Sequence, residues 1–316
     1  MREIGGYIEL DSYKGSMPHE NGIKLNCGRC ALEYIIKAYH IQKLYFPKLM
    51  CDSNDNVLQK SGVVVKYYSI DIDFHPVLPE REKDEWLYLV NYYGQLSNEY
   101  IVSLGENIIV DNSQAFFQEP IQELETIYSC RKYFGVADGA ILFSKKTVEV
   151  LEQDESFHRM NYLLGRYERT ASEFYNEYLE RENHFSDVTI KRMSRLTENL
   201  LHGIDYEYVK KNRTDNFLFL YEELKETNQL TLSVPIGPFM YPFLIPNGSR
   251  LRKVLQKKKI YVPILWPSVF NVCKNEELEY YLTENILPLP IDQRYSIDDM
   301  KYMVEIIKKC LREVAE

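Results

Sequence analysis

The sequence predicts an α/β fold with a mainly parallel sheet, followed by a smaller C-terminal α+β domain. Three observations predict it. Short, almost continuously apolar runs alternate with helically spaced ones over the first two-thirds of the chain, as in strands buried on both faces and covered by helices. Polar residues stand just past the ends of those runs: Asn91 after one, Asp111 and Asn112 after another. The texture changes near residue 203, dividing the chain into a large domain over 1–202, with long connecting helices, and a small one over 203–316. Two domains also suit a chain of 316 residues at roughly 150 residues each.

In order along the chain, the turn Asn26-Cys27-Gly28 feeds a first helix, because Ala31, Leu32, Ile35, Ile36 and Tyr39 recur at helical spacing. Strands are expected at Val63–Tyr68, Leu87–Tyr92, Ile108–Val110 and Ala140–Phe143. From Lys146 to about Glu182, Gly165 is the only helix breaker, which predicts one long helix or two joined ones. Val188, Ile190, Met193, Leu196 and Leu200 form a stripe predicting a helix from Asp187 to Leu201, and another covers Tyr206 to Leu224. Beyond it, strands at Leu230–Val234, Met240–Ile245, Ile260–Ile264 and Ile286–Leu289 alternate with short helices around Arg250–Lys257 and Glu276–Tyr281. A last helix spans Ile297–Val314, with Ser296 as its cap.

Composition narrows the function classes. Hydrophobic residues at 45% and charged ones at 27% give a core-forming globular chain rather than a disordered one. A net charge of -9 argues against a general nucleic-acid or anionic-membrane binder. There is no apolar run of membrane-spanning length, and Met1-Arg2-Glu3-Ile4-Gly5-Gly6 has no leader pattern, so the cytoplasm is the expected compartment. Cys27-Gly28-Arg29-Cys30 has CxxC spacing, yet no second pair or histidine follows at zinc-finger distance, so neither zinc nor redox chemistry is expected of it. The histidines show no metal-ligand spacing, and no metal is expected; His19, near Gly15 and Gly22, is the one to check for proximity to a site.

The most informative polar cluster is Asp111-Asn112-Ser113-Gln114-Ala115 after an apolar strand. An acid there serves as a helix cap or turn former, or it pairs with the protonated nitrogen of a ring that then acts as an electron sink. Gln114, three residues on, is placed to meet another edge of the same ring. Downstream comes Tyr128-Ser129-Cys130-Arg131-Lys132, then Asp138-Gly139-Ala140. Lys132 is either a solvated loop lysine or an amine whose pKa is lowered by desolvation and by a neighbour such as Arg131, ready to form a Schiff base with an aldehyde.

Leu25-Asn26-Cys27-Gly28-Arg29-Cys30-Ala31-Leu32, Pro47 with Gly62 behind it, Asp111 through Ala115, and Ser129 through Lys132 with Asp138-Gly139-Ala140 stand in this order in the chain. In that set the sequence resembles the DegT/DnrJ/EryC/StrS family of nucleotide-sugar aminotransferases, over about residues 20 to 145. The resemblance implies a fold-type I transferase dependent on pyridoxal 5'-phosphate (PLP), with the small C-terminal domain typical of that fold. It implies that Lys132 holds the cofactor covalently and shuttles the substrate's α-proton, that Asp111 pairs with the pyridine nitrogen, and that Gln114 lies beside the ring's phenolic oxygen. Gly28, Arg29 and Cys30 match the turn whose N–H groups bind the cofactor phosphate at a helix start, and Ser129 matches a serine that reaches the same phosphate. It also implies a homodimer and small-molecule substrates, the amino donor being an amino acid, usually glutamate, and the acceptor a keto-sugar or related keto compound.

Arg29 stands where relatives have threonine, and Cys51 near where many have a ring-stacking aromatic, for which Tyr92 and Tyr93 are the substitutes considered. Ser129 is closer to Lys132 than in many relatives. Asp111 and Lys132 would also serve a PLP-dependent lyase, a dehydratase or a non-sugar aminotransferase, and a non-catalytic scaffold keeping the fold is the alternative of a different class. Elsewhere, the basic run Arg250 to Lys259 reads as an amphipathic helix, Trp266 as filler of the seam between domains, and Arg294 as a salt-bridge partner in preference to a substrate contact.

Overall fold

A computed structural model describes residues 4–150, 152–185 and 188–315. The residues Met1-Arg2-Glu3 and the expected helix start at Asp187 lie outside them. Eight strands form one sheet: β1 (Ile23–Leu25), β2 (Lys43–Pro47), β3 (Val64–Ile70), β4 (Pro76–Val77), β5 (Glu85–Val90), β6 (Ile108–Asp111), β7 (Glu125–Ser129) and β8 (Ala140–Phe143). Their order is β1-β8-β7-β6-β5-β2-β3-β4. The five strands β7-β6-β5-β2-β3 at its centre are mutually parallel, and the antiparallel pairs lie towards the edges, β1 with β8, β8 with β7, and β3 with β4.

This direction pattern decides where the loops fall. Since β1 runs against β8 and β8 runs against β7, β1 points the same way as the parallel strands. The residues after β1, β2, β5, β6 and β7 therefore all emerge at one edge, the place where open α/β sheets bind ligands.

Around the sheet lie α1 (Gly28–Tyr39), α2 (Asp55–Ser61) and α3 (Asn98–Ser103). Next come α4 (Asn161–Glu168), α5 (Tyr175–His184), α6 (Arg195–Leu201) and the long α7 (Tyr206–Leu224). The C-terminal part pairs β9 (Tyr241–Leu244) antiparallel with β10 (Ile286–Leu289), flanked by α8 (Gly248–Lys257), α9 (Val269–Val272), α10 (Leu278–Asn285) and α11 (Ile297–Ala315). Leu32, Ile35, Leu87 and Ile109 share one continuous core with Phe217, Leu220, Phe243 and Ile307, so the two sheets are joined by packing. Trp266 is buried in that join, edge-on to Tyr92 and Tyr93 at 5.4 and 6.0 Å.

Several sequence expectations are corrected. The stretch 146–182 holds two helices, α4 and α5, rather than one long one, but they are short and separated, and 144–150 and 152–156 are not helical. The stripe from Val188 to Met193 is extended, because Lys191 and Met193 bond to Asn26 and Lys24 beside β1 (3.0 and 3.1 Å) and Arg192 bridges to Leu25 and Gln153. A tertiary partner for the backbone overrides helical spacing there, and only Arg195–Leu201 is helical. Leu230–Val234 and Ile260–Ile264 are not strands; the Ser233 amide is satisfied by the Gln95 side chain at 2.8 Å instead of by a ladder. Nor is β3 buried on both faces, since its neighbour β4 is only two residues long and leaves Val64 and Tyr67 exposed. Strands β1, β2, β4 and β7 were not anticipated. Arg294 does make its salt bridge, to Asp292 at 2.6 Å.

Candidate active site

Asp111 ends β6 and is buried. Its Oδ1 accepts from the Ser113 amide at 2.9 Å, which fixes the turn, and its Oδ2 accepts from the Tyr88 hydroxyl at 2.8 Å. Burial, and then the Asp111 charge, push the Tyr88 phenol well above its ordinary value, so the shared proton stays on the tyrosine. Among the described residues Asp111 has no ion pair. A buried carboxylate thus stands at the binding edge with two neutral donors and no cation.

Gln114, also buried, turns its Oε1 to the Tyr93 amide at 2.9 Å, and its own carbonyl accepts from the Tyr133 hydroxyl at 3.0 Å. Tyr93 has φ 54°, a left-handed conformation in which the neighbouring Gly94 (φ 73°) also sits, and the Gln114 bond braces this tight turn. The turn is reinforced by Asn91, whose amide donates to Asn112 at 3.0 Å and to Gln118 at 2.8 Å. Tyr92 and Tyr93 are fully buried against Trp266, and the Tyr92 hydroxyl bonds to the Leu49 carbonyl at 2.6 Å. Both are committed to that join, which corrects their reading as ring-stacking residues.

The start of α1 is delivered to the same edge by β1 and tied there by the Gly139 amide, which donates to the Asn26 carbonyl at 2.7 Å. Its N-cap, Cys27, makes no capping bond through its side chain, and the first turn holds no acid. The N–H groups of Gly28, Arg29 and Cys30 thus form the electropositive start of a helix, that of Cys30 facing the Cys27 sulfur. Gly28 packs against β7: a Cβ placed on it would meet Ile127 at 3.9 Å. The Arg29 side chain leaves the turn and its Nη1 donates to the Phe185 carbonyl. The Cys30 thiol faces the carbonyl of Thr189 at 3.5 Å and lies 3.2 Å from the Cys27 sulfur.

Ser129 ends β7 and opens a 3-10 turn over Cys130–Lys132. Lys132 is exposed, its Nζ 5.8 Å above the Phe239 ring, and the Arg131 guanidinium lies 4.1 Å over the Phe185 ring. Lys132 is thus not enclosed by the aromatic residues that flank it in sequence. The turn is anchored one residue on. The Tyr133 carbonyl accepts from Gln293 Nε2 at 2.8 Å and from Arg213 Nη2 at 3.3 Å. Arg213 is fully buried, with its other donors on the carbonyls of Pro238 and Phe239 and on Gln293.

The topology thus gathers Gly28, Asp111, Gln114, Ser129 and Lys132 at one sheet edge, while the side chains of Arg29 and Cys30 turn towards the carbonyls of Phe185 and Thr189. No hydrogen bond joins Lys132 to Asp111. His19 lies behind the loop, stacked on Tyr128 at 3.9 Å with Nε2 on the Phe116 carbonyl at 2.6 Å. Tyr88, Phe185, Arg213 and Gln293 were not anticipated. For Tyr88 the only sequence signal was its place in the strand adjoining Asp111, and for the others there was none.

No protein-family model matches the sequence, and no curated protein is similar to it. Solved structures are similar in fold. A DegT DnrJ EryC1 StrS aminotransferase from Brucella abortus superposes with a TM-score of 0.61 at 16% identity, covering 91% of this chain and 85% of that one. NtdA from Bacillus subtilis, with the cofactor PMP bound, gives 0.66 at 12% identity, covering 95% and 78%. The GDP-4-keto-6-deoxy-D-mannose-3-dehydratase of E. coli, with hydrated PLP bound, gives 0.62 at 14% identity, covering 90% and 87%. The chain has the fold-type I architecture of PLP-dependent aminotransferases, in the form its DegT/DnrJ/EryC1/StrS structural neighbours share.

Proposed function

We propose that the protein is a PLP-dependent aminotransferase that moves an amino group from an amino acid, glutamate, to a keto-sugar or related keto substrate. The observation that carries this reading is the buried, cation-free Asp111 carboxylate at the edge that also holds the uncapped start of α1 and the Lys132 turn.

These residues fit the cofactor. A buried carboxylate is costly without a cation, and a protonated pyridine nitrogen would supply one. The helix-start N–H groups of Gly28, Arg29 and Cys30, with the Ser129 hydroxyl, suit a phosphate. The exposed Lys132 amine suits an aldehyde. When bound, PLP supplies the electron sink that weakens bonds at the substrate's α-carbon. Asp111 keeps a proton on the ring nitrogen, and Tyr88 with the Ser113 amide fixes the orientation of its carboxylate. Gln114 would lie beside the ring's phenolic oxygen, its Oε1 held by the Tyr93 amide. Lys132 Nζ takes the proton from the α-carbon and returns it. The side chains of Arg29 and Cys30 add nothing here, being bound elsewhere.

The working form is a homodimer, a reading supported by the apolar side chains Phe157, Leu164, Tyr167 and Tyr175, which lie exposed in and before α4 and α5. The large and small domains are residues 1–202 and 203–316. A dehydratase is the second reading, favoured by the fold of the E. coli neighbour. The test is to fix PLP on the full-length protein with borohydride, map the modified peptide, and then give unreduced holoenzyme glutamate in a single turnover. Pyridoxyl on Lys132 and one equivalent of 2-oxoglutarate are expected. A cofactor on Lys132 with no keto acid from glutamate or any other amino acid would overturn the aminotransferase reading in favour of the dehydratase.

A further inference from the structure

The Cys27 and Cys30 sulfurs are 3.2 Å apart and both residues are fully buried. Cys27 is the extended N-cap of α1 (φ -159°, ψ 164°) and Cys30 sits one turn further on. A disulfide needs about 2.05 Å between sulfurs, so a closure of about 1 Å joins them. The pair is covered by Phe185, also fully buried, which forms a small apolar cluster with the two cysteines. That cover is pinned by its carbonyl on Arg29 and by its ring under Arg131.

We propose that Cys27 and Cys30 form a redox-active dithiol, oxidised by peroxide to a reversible disulfide, with Phe185 as its cover. Cys27 is the attacking group. Burial alone would raise its pKa, but its hydrogen bond with the Cys30 sulfur, the Arg131 charge, the Cys30 backbone and the Arg29 charge together lower it. The hydrogen bond with Cys27 and then burial raise that of Cys30, which keeps its proton. The Cys27 thiolate attacks one peroxide oxygen, breaking the O–O bond and releasing hydroxide, and becomes a sulfenic acid. The Cys30 sulfur then attacks the Cys27 sulfur, and the sulfenic oxygen leaves as water with the thiol proton. The net change is two thiols and one peroxide to one disulfide and two waters, the dithiol losing two electrons.

The pair lies on the turn assigned above to the cofactor phosphate, and the consequence for binding rests on that reading. In the reduced state the Cys27 sulfur engages the Cys30 amide, one of the donors a phosphate would use, and each thiolate formed there sets a negative charge beside this turn. Oxidation removes both obstacles, so the disulfide form binds phosphate more tightly.

The test uses the full-length apoprotein and one equivalent of hydrogen peroxide, with thiols counted after denaturation. Of the six free cysteines, four are expected to remain, with the peptide mass 2 Da lower at Cys27–Cys30 and six thiols restored by dithiothreitol. Cys30→Ser is expected to stop at a Cys27 sulfenic acid that dimedone traps, and Phe185→Ala to speed oxidation at least tenfold. Six thiols left after treatment, or a disulfide between other cysteines, would overturn the proposal without touching the cofactor reading. Titration with PMP is expected to show at least tenfold tighter binding to the oxidised protein. Equal or weaker binding would overturn the phosphate half alone, and no PMP binding in either state would overturn it together with the proposed function.

Discussion

The Tyr88 hydroxyl donates to Asp111 Oδ2 at 2.8 Å across the neighbouring strands β5 and β6. Tyr88→Phe removes a donor from a buried charge while keeping the ring that stacks on Phe46 at 4.8 Å. A loss of about 1.5–3 kcal/mol in unfolding free energy at pH 7 is expected, the size of a hydrogen bond to a charged group. Urea denaturation measures it, and a change under 0.5 kcal/mol would show that the bond contributes nothing.

The same tyrosine gives a pH dependence. Its folded-state pKa is raised by burial and then by Asp111, so its stabilising effect is complete below the unfolded tyrosine value of about 10 and is lost as pH rises above it. Above that pH the unfolded chain gives up the proton while the folded one keeps it. Wild-type stability should therefore fall more steeply than that of Tyr88→Phe, by about 1 kcal/mol between about pH 10 and 11. Parallel slopes in urea titrations at pH 9, 10 and 11 would contradict this.

Asp111→Asn leaves a neutral side chain that no longer favours a proton on the ring nitrogen. Transfer of the amino group from glutamate in a single turnover should slow about a hundredfold, or about 2.7 kcal/mol, while PMP still binds. Rates equal to wild type would remove Asp111 from the chemistry.

For Lys132→Ala, borohydride should fix no pyridoxyl group, whereas PMP should bind within about threefold of wild type. Covalent trapping at a different lysine in the variant, seen by peptide mass mapping, would show that the site lies elsewhere.

Arg29 is expected to matter little to the phosphate, because its guanidinium is already on the Phe185 carbonyl. Arg29→Ala should leave PMP affinity of the apoprotein within about threefold, against the tenfold or more that losing a direct charged contact would cost. Calorimetry separates the two.

What the sequence determined by itself is what local pattern determines. The turn at Gly28 followed by Ala31, Ile35 and Tyr39 specified α1, and the even apolar runs at Ile108 and Ala140 specified the buried strands β6 and β8. Tyr206–Leu224 and Ile286–Leu289 are where they were expected, since each carries its own periodicity and ends. The ordered motif around Asp111 and Lys132 pointed to the fold. Only the tertiary structure decided the rest. A three-residue strand such as β1 exists because β8 pairs with it, and Val188–Met193 is extended because β1 offers it backbone partners. The bond from Tyr88 to Asp111, the hold of Arg213 on the Lys132 turn, and Phe185 over the two cysteines join residues 23, 80 and more than 150 positions apart. Contacts of that range leave no periodicity in a sequence; they follow from which strands lie side by side and which loops share an edge.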